Sequence, residues 1–280
     1  MFFDFIKFKS IIFSGMKISQ EGIPLIVGFK ELGFTTYPVT VALYGLYQYQ
    51  MYENTKNKIF LNSSIICGKW LLKEGEKINN ALLWKHPYPN RFLKMEPGWI
   101  CGLTQALGGA LFLYLKRHSE VFEGSDTLAV EPLFHPVREG GVANSIGDYH
   151  FLEEYPSNPP SATLNGFLYM LLVLHEFAEN GHKKSKDAFT FYAENLKKHL
   201  HLYDTGYWSL YDLWKVKRLA SREYHFLHIG LLERLYEITG DSIFHQYKNK
   251  WERYWRSSKC RLLWFISKIK EKTYIHRAKR

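Results

Sequence analysis

The sequence has little cysteine, and the cysteines that it has are not paired by any recognisable spacing. Cys67, Cys101 and Cys260 are spread through 280 residues and form no CxxC pair. An odd number of distant cysteines gives no disulfide framework. We therefore expect a protein of a reducing compartment, that is, a cytoplasmic one.

Motifs for nucleotides and metals are also missing. The stretch "GLTQALGG" lacks the glycine spacing of a phosphate loop, and "HEFAE" has Glu179 where a zinc-binding HExxH motif needs histidine. His225 and His228 are three residues apart, but no further metal ligands accompany them. We expect neither a metal site nor a cofactor.

No hydrophobic run is long enough to cross a bilayer. The opening "MFFDFIKFKSIIFSG" is aromatic, but Asp4, Lys7 and Lys9 interrupt it, and it lacks the order of a signal peptide. We treat residues 1–36 as an N-terminal extension. Residues 1–15 are interpreted either as an interfacial anchor or as sequence upstream of a start at Met16. A soluble protein is expected, with a peripheral membrane location as an open alternative.

Acidic residues are nearly absent from the end of the chain. The net charge is +10, but the residues from Arg253 onward include ten Lys or Arg and only one acid, Glu271. Residues 1–252 are balanced, with 27 basic and 26 acidic residues. We define 257–280 as a basic C-terminal tail, which favours a membrane surface or an acidic polymer over nucleic acid as a partner.

Aromatic residues, in contrast, are abundant, at 17% of the chain. Such a surplus is typical of carbohydrate-binding clefts, because sugar C–H faces stack on rings. A large helical core filled with rings would explain it equally well. Composition alone does not distinguish these two interpretations.

The body of the chain shows a repeated pattern of paired helices. Segments 37–75, 97–124, 161–204 and 224–255 have apolar positions at steps of three and four residues. They start near Tyr37, Pro97, Asn165 and Tyr224, which are 60, 68 and 59 residues apart. Gly181 and Gly240 are predicted stops, and Asp241 is a predicted cap. The pattern predicts a mainly α protein whose domain, residues 37–256, is an α/α barrel or incomplete toroid.

One segment does not fit the helical pattern. Residues 131–156 contain two short runs separated by glycines, which predict a small β-hairpin inserted between helical pairs. Its second strand leads to Glu153, Glu154 and Tyr155, immediately before the next helix. The free N–H groups at a helix N-terminus favour an anion. This position therefore indicates a site better than the edge of a core.

Tyrosine occurs beside charged residues in three places, namely "LEEYP", "GYWSLYDL" and "LASREYHFLHI". Tyr155, Tyr211 and Tyr224 could each be half-buried core residues. Together they suit proton transfer at carbon, because a neutral phenol with a pKa of about 10 can act beside an acidic sugar without adding a like charge.

These motifs, in this order and together with "PGWICGLTQALGGALFLYLKRH", resemble the C-terminal domain of D-glucuronyl C5-epimerases, over about residues 37–255. The resemblance implies an α/α-barrel catalytic domain that converts D-glucuronate to L-iduronate in heparan-type polymers. By motif position it implies Glu154, Tyr155, Tyr211 and Tyr224 as catalytic residues. We assign Tyr224 and Glu154 as the proton-moving pair.

The resemblance is incomplete at the substrate carboxylate. Animal-type members have an arginine two residues after the Asp of "YDL", where this chain has Trp214. We expect Arg222 to replace it, with Lys215 as second choice. Animal members also have an upstream β-rich region that forms part of the groove, so a homodimer could complete the cleft here. The remaining predicted substrate-binding residues within these motifs are Trp208, Asn165 and His225.

Two other functions remain open from the sequence. A polysaccharide lyase begins with the same deprotonation at C5 and then expels the 4-O-linked sugar. A glycan-binding protein without catalytic activity would keep the cleft alone. In each case the predicted partner is an acidic polysaccharide.

Overall fold

The computed structural model describes residues 1–27 and 33–278, with side chains as far as Lys272. It is mainly helical, as predicted. The helices are α1 Lys9–Ile12, α2 Pro38–Thr55, α3 Lys58–Glu74, α4 Gly102–Leu115, α5 Ser125–Val130, α6 Leu164–Glu179, α7 Lys183–His199, α8 Arg222–Thr239, α9 Ser242–Arg256 and α10 Ser258–Ala278.

The larger helices pack as consecutive pairs. Helices α2 and α3, α4 and α5, α6 and α7, and α8 and α9 lie together, and α2, α4, α6 and α8 pack against one another in series. All residues of α4 and most of α6 are buried, whereas α7 and α9 bury only a few side chains each. The difference follows from sequence, because a helix that is apolar all round needs neighbours on every side.

Most helix ends are where the sequence predicts them. Gly181 and Gly240 follow α6 and α8 with φ of +87° and +68°, a conformation that glycine adopts without steric cost. Asp241 caps α9 by accepting a hydrogen bond from Ile243 N at 3.0 Å. Ser221 caps α8 by accepting from Tyr224 N at 3.2 Å, which fixes Tyr224 in the first turn.

The start of α4 differs from our expectation of a helix beginning at Pro97. Gly98 N donates to His86 O at 2.8 Å, and His86 N donates to Trp99 O at 2.9 Å. Gly98 lies in a turn with φ of +96°, and Ile100 forms an antiparallel bridge with Lys85, so residues 98–100 are tied to residues 85–86 and are not helical. The helix begins only at Gly102.

Short antiparallel strands connect the helices. They are β1 Lys17–Ile18, β2 Pro24–Val27, β3 Phe34–Thr35, β4 Glu76–Ile78, β5 Ala81–Leu83, β6 Ala143–Ile146, β7 Tyr149–Leu152, β8 Leu210–Asp212 and β9 Arg218–Leu219. The predicted hairpin is β6–β7, in which Ala143 pairs with Leu152. A hairpin that we did not predict, β8–β9, places Arg218 opposite Asp212.

The first eight residues belong to the core. The rings of Phe2, Phe3, Phe5 and Phe8 are at most 3% exposed. Phe3 contacts Tyr169 of α6, with ring centroids 5.0 Å apart, and Phe8 occupies the space that a Cβ at Gly230 of α8 would need. These rings are not available as an interfacial anchor, which corrects that interpretation of the segment.

Helix α10 is docked on the domain by one face. Trp264 Nε1 donates to Ala220 O at 2.9 Å, and Lys268 Nζ donates to Leu219 O at 2.7 Å. Glu271 accepts from Leu219 N at 3.0 Å. The tail that we defined from charge is thus, over its described side chains, a helix packed beside β9. No helix in the described ranges is both long and apolar enough to cross a membrane.

Candidate active site

Glu154 lies where β7 leads into α6, and two glycines allow it to pack there. A Cβ at Gly166 would lie 2.4 Å from Glu154 Oε2, and a Cβ at Gly102 would lie 2.2 Å from Glu153 O. Gly102 N donates to Glu154 O at 3.0 Å, and Asn165 Nδ2 donates to Glu154 Oε2 at 3.3 Å. The carboxyl group is therefore held against the first turn of α6, as the sequence predicted.

Glu153, its neighbour, is fully buried and has its carboxylate surrounded by donors. Ser161 N and Ser161 Oγ donate to it at 2.7 and 2.6 Å, and Ala162 N donates at 3.0 Å. Asn144 Nδ2 lies 3.4 Å from the same carboxylate. Glu153 thus links the turn before α6 to β6. Its two oxygens already accept these hydrogen bonds, so no lone pair remains to accept one from a substrate.

Burial raises the pKa of Glu154 to about 7. The Tyr155 hydroxyl and the Asn165 amide oppose this rise, as does the positive charge of Arg218. A carboxyl group with such a pKa is partly ionised near neutral pH. It can then take a proton and return it, which is the requirement for a general acid or base.

Three tyrosines surround this carboxyl group. The rings of Tyr211 and Tyr224 meet edge to face with centroids 5.2 Å apart. Burial and the nearby Glu154 raise the pKa of Tyr224 to about 12, and the same two causes hold the pKa values of Tyr155 and Tyr211 well above their usual range. All three phenols are therefore neutral at pH 7 and can donate protons or hydrogen bonds.

Glu154 and Tyr155 lie between two adjoining cavities. The volumes are about 370 and 550 Å³, and both cavities include Val39 in their walls. The larger one is also lined by Asn165, Tyr169 and Tyr224. Together they form a cleft with the carboxyl group near its middle.

The smaller cavity has an aromatic wall that sequence reasoning missed. His86 is stacked on Trp99 with centroids 3.9 Å apart, and Tyr37 and Tyr88 lie next to them. Burial lowers the pKa of His86 to about 4, so this histidine is neutral. Position in the chain could have indicated this wall. Residues 84–101 come directly before α4, just as Glu154 comes before α6.

Three buried polar atoms around the cleft have no hydrogen-bond partner within the described part of the chain. They are His86 Nε2, Asn165 Oδ1 and the Tyr169 hydroxyl. Buried polar atoms are nearly always satisfied in folded proteins. These three are therefore candidates for contacts with the hydroxyl groups of a ligand.

Arg218 is a second residue that we did not predict. Its guanidinium forms an ion pair with the fully buried Asp212 and lies over the Tyr211 and Phe92 rings, 5.0 and 4.2 Å from their centroids. The Arg218 Nε–H has no partner among the residues described. The guanidinium is thus held over the Tyr211 ring, with its charge paired to Asp212.

The other predicted substrate-binding residues lie outside this cleft, apart from Asn165. Trp208 and His225 are fully buried and stacked, 3.9 Å apart, with His225 hydrogen-bonded to Ser209 and to Trp251 O. Arg222 lies over the ring of Trp255 of α9, at 5.3 Å. Lys215 is exposed in the loop between β8 and β9. Trp208 and His225 therefore contribute to packing.

The described residues contain no group of three His, Cys, Asp or Glu side chains that could hold a metal ion. His225 and His228 share the Ser209 hydroxyl, at 2.8 and 2.9 Å. Burial lowers the pKa of both histidines, to about 4 for His225 and well below the usual range for His228. Their spacing thus reflects a buried hydrogen-bond arrangement.

Comparisons of the sequence with known proteins show the family of this chain. The family model for the D-glucuronyl C5-epimerase C-terminus matches residues 74–253, more than half of the chain and all of the tyrosine motifs. The chain belongs to this family. Membership suggests an epimerase-like activity.

Two relatives show what share of a known protein this chain matches. It is 30% identical over 209 residues to an uncharacterized protein of Methanocaldococcus jannaschii, covering 70% of this chain and 66% of that protein. It is 29% identical over 209 residues to the D-glucuronyl C5-epimerase of Caenorhabditis elegans, covering 66% of this chain and 33% of that protein. The chain thus matches about one third of the Caenorhabditis enzyme.

Proposed function

We propose that the protein inverts C5 of D-glucuronate residues to L-iduronate within an acidic, heparosan-like polysaccharide. The observation that carries the proposal is the position of the Glu154 carboxyl group, which lines one cleft together with the neutral Tyr155 and Tyr224. Burial raises its pKa to about 7. In the same proposal α2, α4, α6 and α8 are the inner helices of an incomplete α/α barrel, and the cleft lies at one end of them.

The reaction needs one proton to leave and one to arrive on opposite faces of the sugar. A base takes the C5 proton, and the C–H electron pair moves into the carboxylate to give an enediolate. A proton then adds to C5 from the other face, so atoms and electrons balance without an oxidant. Glu154 is suited to accept the proton and the Tyr224 hydroxyl to supply one, with Tyr155 and Tyr211 donating to the enediolate.

The enediolate carries more negative charge than the substrate carboxylate, so a cation must be near. In a cleft with little water an uncompensated second charge would be prohibitive. Arg218 suits this role better than Arg222 or Lys215, because its guanidinium is fixed over Tyr211 and already lowers the pKa of Glu154. We therefore assign to Arg218 the role that we expected of Arg222.

The shape of the cleft supports a polymer as substrate. Cavities on both sides of Glu154 and Tyr155 leave room for sugar units before and after the reacting one. The Trp99–His86 stack offers a flat apolar surface in the smaller cavity, and sugar C–H faces bind such surfaces. The partnerless atoms of His86, Asn165 and Tyr169 can hydrogen-bond sugar hydroxyls.

The proposal is tested by incubating the full chain with heparosan oligosaccharides in deuterium oxide and following C5 by NMR. We expect deuterium at C5 and new iduronate signals, both lowered about a hundredfold or more in Glu154→Gln. Absorbance of an unsaturated uronate would instead identify a lyase. No exchange at C5 by a folded protein that binds the oligosaccharide would overturn the proposal and leave a glycan-binding protein.

A further inference from the structure

Helix α10 has a second apolar face that the domain does not cover. Leu262, Phe265, Ile266 and Ile269 are each between 42% and 60% exposed. Their spacing of three, one and three residues places them in a single stripe along the helix. Trp264, Ser267 and Lys268 contact the domain from the opposite side, through Ala220, Tyr207 and Leu219.

Basic side chains lie along both edges of this stripe. At about 100° per residue, Lys259 and Lys270 fall on one edge, and Arg261 and Lys272 fall on the other. All four are exposed. The only acid of the described side chains of α10, Glu271, is turned inward, where it binds Leu219 N and Lys268. The outward surface is therefore apolar in the middle and exclusively positive at its edges.

We propose that this face of α10 binds an anionic lipid surface. A helix lies in a membrane interface when an apolar stripe enters the acyl boundary and flanking Lys or Arg side chains reach the headgroups. Negatively charged lipids attract such basic side chains. The stripe and its two positive edges are the two requirements of this binding mode, and both are present on one face.

Two other occupants fit this face less well. A second copy of the chain would bring two rows of positive side chains together, and like charges across an interface are costly. A free acidic polysaccharide would pair with the lysines but gains little from Leu262, Phe265 or Ile266. A surface that is both apolar and anionic would contact the apolar stripe and pair with the basic side chains at its edges.

The docked face allows membrane binding without any change of fold. Because Lys268 and Glu271 are bonded to Leu219 of β9 and Trp264 to the next residue, Ala220, the stripe is held outward on a fixed support. Leu219 follows Arg218 in the chain. This inference does not depend on the proposed function, since it rests on α10 alone.

The test is flotation of the full chain with vesicles of phosphatidylcholine, alone or mixed in equal parts with phosphatidylglycerol. We expect binding to the anionic vesicles that weakens as salt is raised. Phe265→Ser combined with Ile266→Ser should lower the partition coefficient about tenfold or more, because the inserted apolar area is lost. A variant in which all four basic residues at the edges are changed to Gln should lose a similar amount of binding. The four substitutions are Lys259→Gln, Arg261→Gln, Lys270→Gln and Lys272→Gln.

Matched controls lie on other helices. Ile59 of α3 is 68% exposed, so Ile59→Ser removes a comparable apolar side chain elsewhere. Lys183 and Lys186 of α7 are exposed, so changing both to Gln lowers the charge without touching α10. The controls should bind as the unchanged protein does.

Three results would overturn the proposal. One is no flotation of the unchanged protein with anionic vesicles. Another is flotation that the α10 substitutions leave intact. The third is a dimer in sedimentation analysis, without lipid, that Phe265→Ser dissociates, since the stripe would then be covered by a second copy.

Discussion

Glu153 and Glu154 are adjacent in the chain and both buried, yet only Glu154 faces the cleft. Glu153 is hydrogen-bonded by Ser161, Ala162 and Asn144, whereas Glu154 is held by Asn165 and lines both cavities. The turn between β7 and α6 thus separates a carboxylate that supports structure from one that is available for chemistry.

Substituting each glutamate by glutamine should separate these roles. Glu154→Gln should lower C5 exchange by about a hundredfold or more, because the proton acceptor is lost while the shape is kept. Glu153→Gln should cost about 1–3 kcal/mol of unfolding free energy, because its new NH₂ group faces donors at Ser161 and Ala162. Urea unfolding and exchange assays measure both. Equal loss of activity per folded molecule in the two variants would contradict the assignment.

The raised pKa of Glu154 predicts a pH dependence of stability. The folded protein holds this proton up to about pH 7, whereas the group's ordinary pKa is 4.5. The stabilisation from Glu154 is therefore complete below about pH 4.5 and is lost as the pH rises through 7. We expect the difference in unfolding free energy between the unchanged protein and Glu154→Gln to fall by about 1–3 kcal/mol from pH 5 to pH 8.

The buried histidines should act in the opposite sense. The pKa values of His86 and His225 are lowered from 6.5 to about 4, so their contribution is present above pH 6.5 and is lost as the pH falls towards 4. The comparison with Glu154→Gln cancels this contribution, because both proteins contain the same histidines. A difference that stays constant from pH 5 to pH 8 would show that Glu154 has an ordinary pKa.

Removing one hydroxyl should test Tyr224 as a proton donor. Tyr224→Phe should lower C5 exchange about a hundredfold, while the fold is kept because the ring contact with Tyr211 remains. Tyr236→Phe is the control, since Tyr236 lies near the other end of α8 and is 36% exposed, close to the 40% of Tyr224. Exchange at the normal rate in a folded Tyr224→Phe protein would assign the donor to Tyr155 or Tyr211.

The sequence predicted the helices well because their signals are local. Apolar periodicity and the stops at Gly181 and Gly240 depend on a few neighbouring residues. The packing of Phe3 and Phe8 could not be predicted in this way, because Tyr169 on α6 and Phe226 on α8 are more than 150 residues away from them. An aromatic segment looks the same whether it covers a core or enters a membrane.

The site was predicted in part for similar reasons. Glu154, Tyr155, Tyr211 and Tyr224 come together as expected, because ordered motifs fix their places on successive elements. Tyr224 and His225 are neighbours on a helix and must point in different directions, so His225 enters the core. Arg218 was missed because its place in the structure depends on the pairing of β8 with β9, which sets Arg218 opposite Asp212. The resemblance to the family drew attention to the position of Trp214 instead.

Exchanging each arginine for lysine should distinguish Arg218 from Arg222. Arg218→Lys keeps the charge but loses the planar group that lies over Tyr211 and pairs with Asp212, so turnover should fall about tenfold or more. Arg222→Lys is the matched control, because Arg222 lies over Trp255 and should leave turnover nearly unchanged. The reverse order of effects would return the carboxylate-binding role to Arg222.

Adding one methyl group to α6 should disturb the Glu154 carboxyl group directly. The new Cβ of Gly166→Ala would lie 2.4 Å from Glu154 Oε2, and the Glu154 backbone cannot retreat because its carbonyl is bonded to Gly102 N. The carboxyl group must turn away from Asn165. We expect at least about tenfold slower exchange, together with about 1–3 kcal/mol lower stability from overpacking.

Gly68→Ala provides the matched control, since its Cβ would lie 2.5 Å from Leu115 Cδ1 and 2.8 Å from Phe122 Cε1, in the contact between α3 and α4. It should lose comparable stability by the same overpacking. Its exchange rate per folded molecule should stay normal, because neither Leu115 nor Phe122 lines the cleft. NMR titration of Glu154 gives a readout that does not require activity, with a changed pKa expected only in Gly166→Ala. If both variants kept the pKa and the exchange rate, the close packing of Glu154 on α6 would have no part in its reactivity.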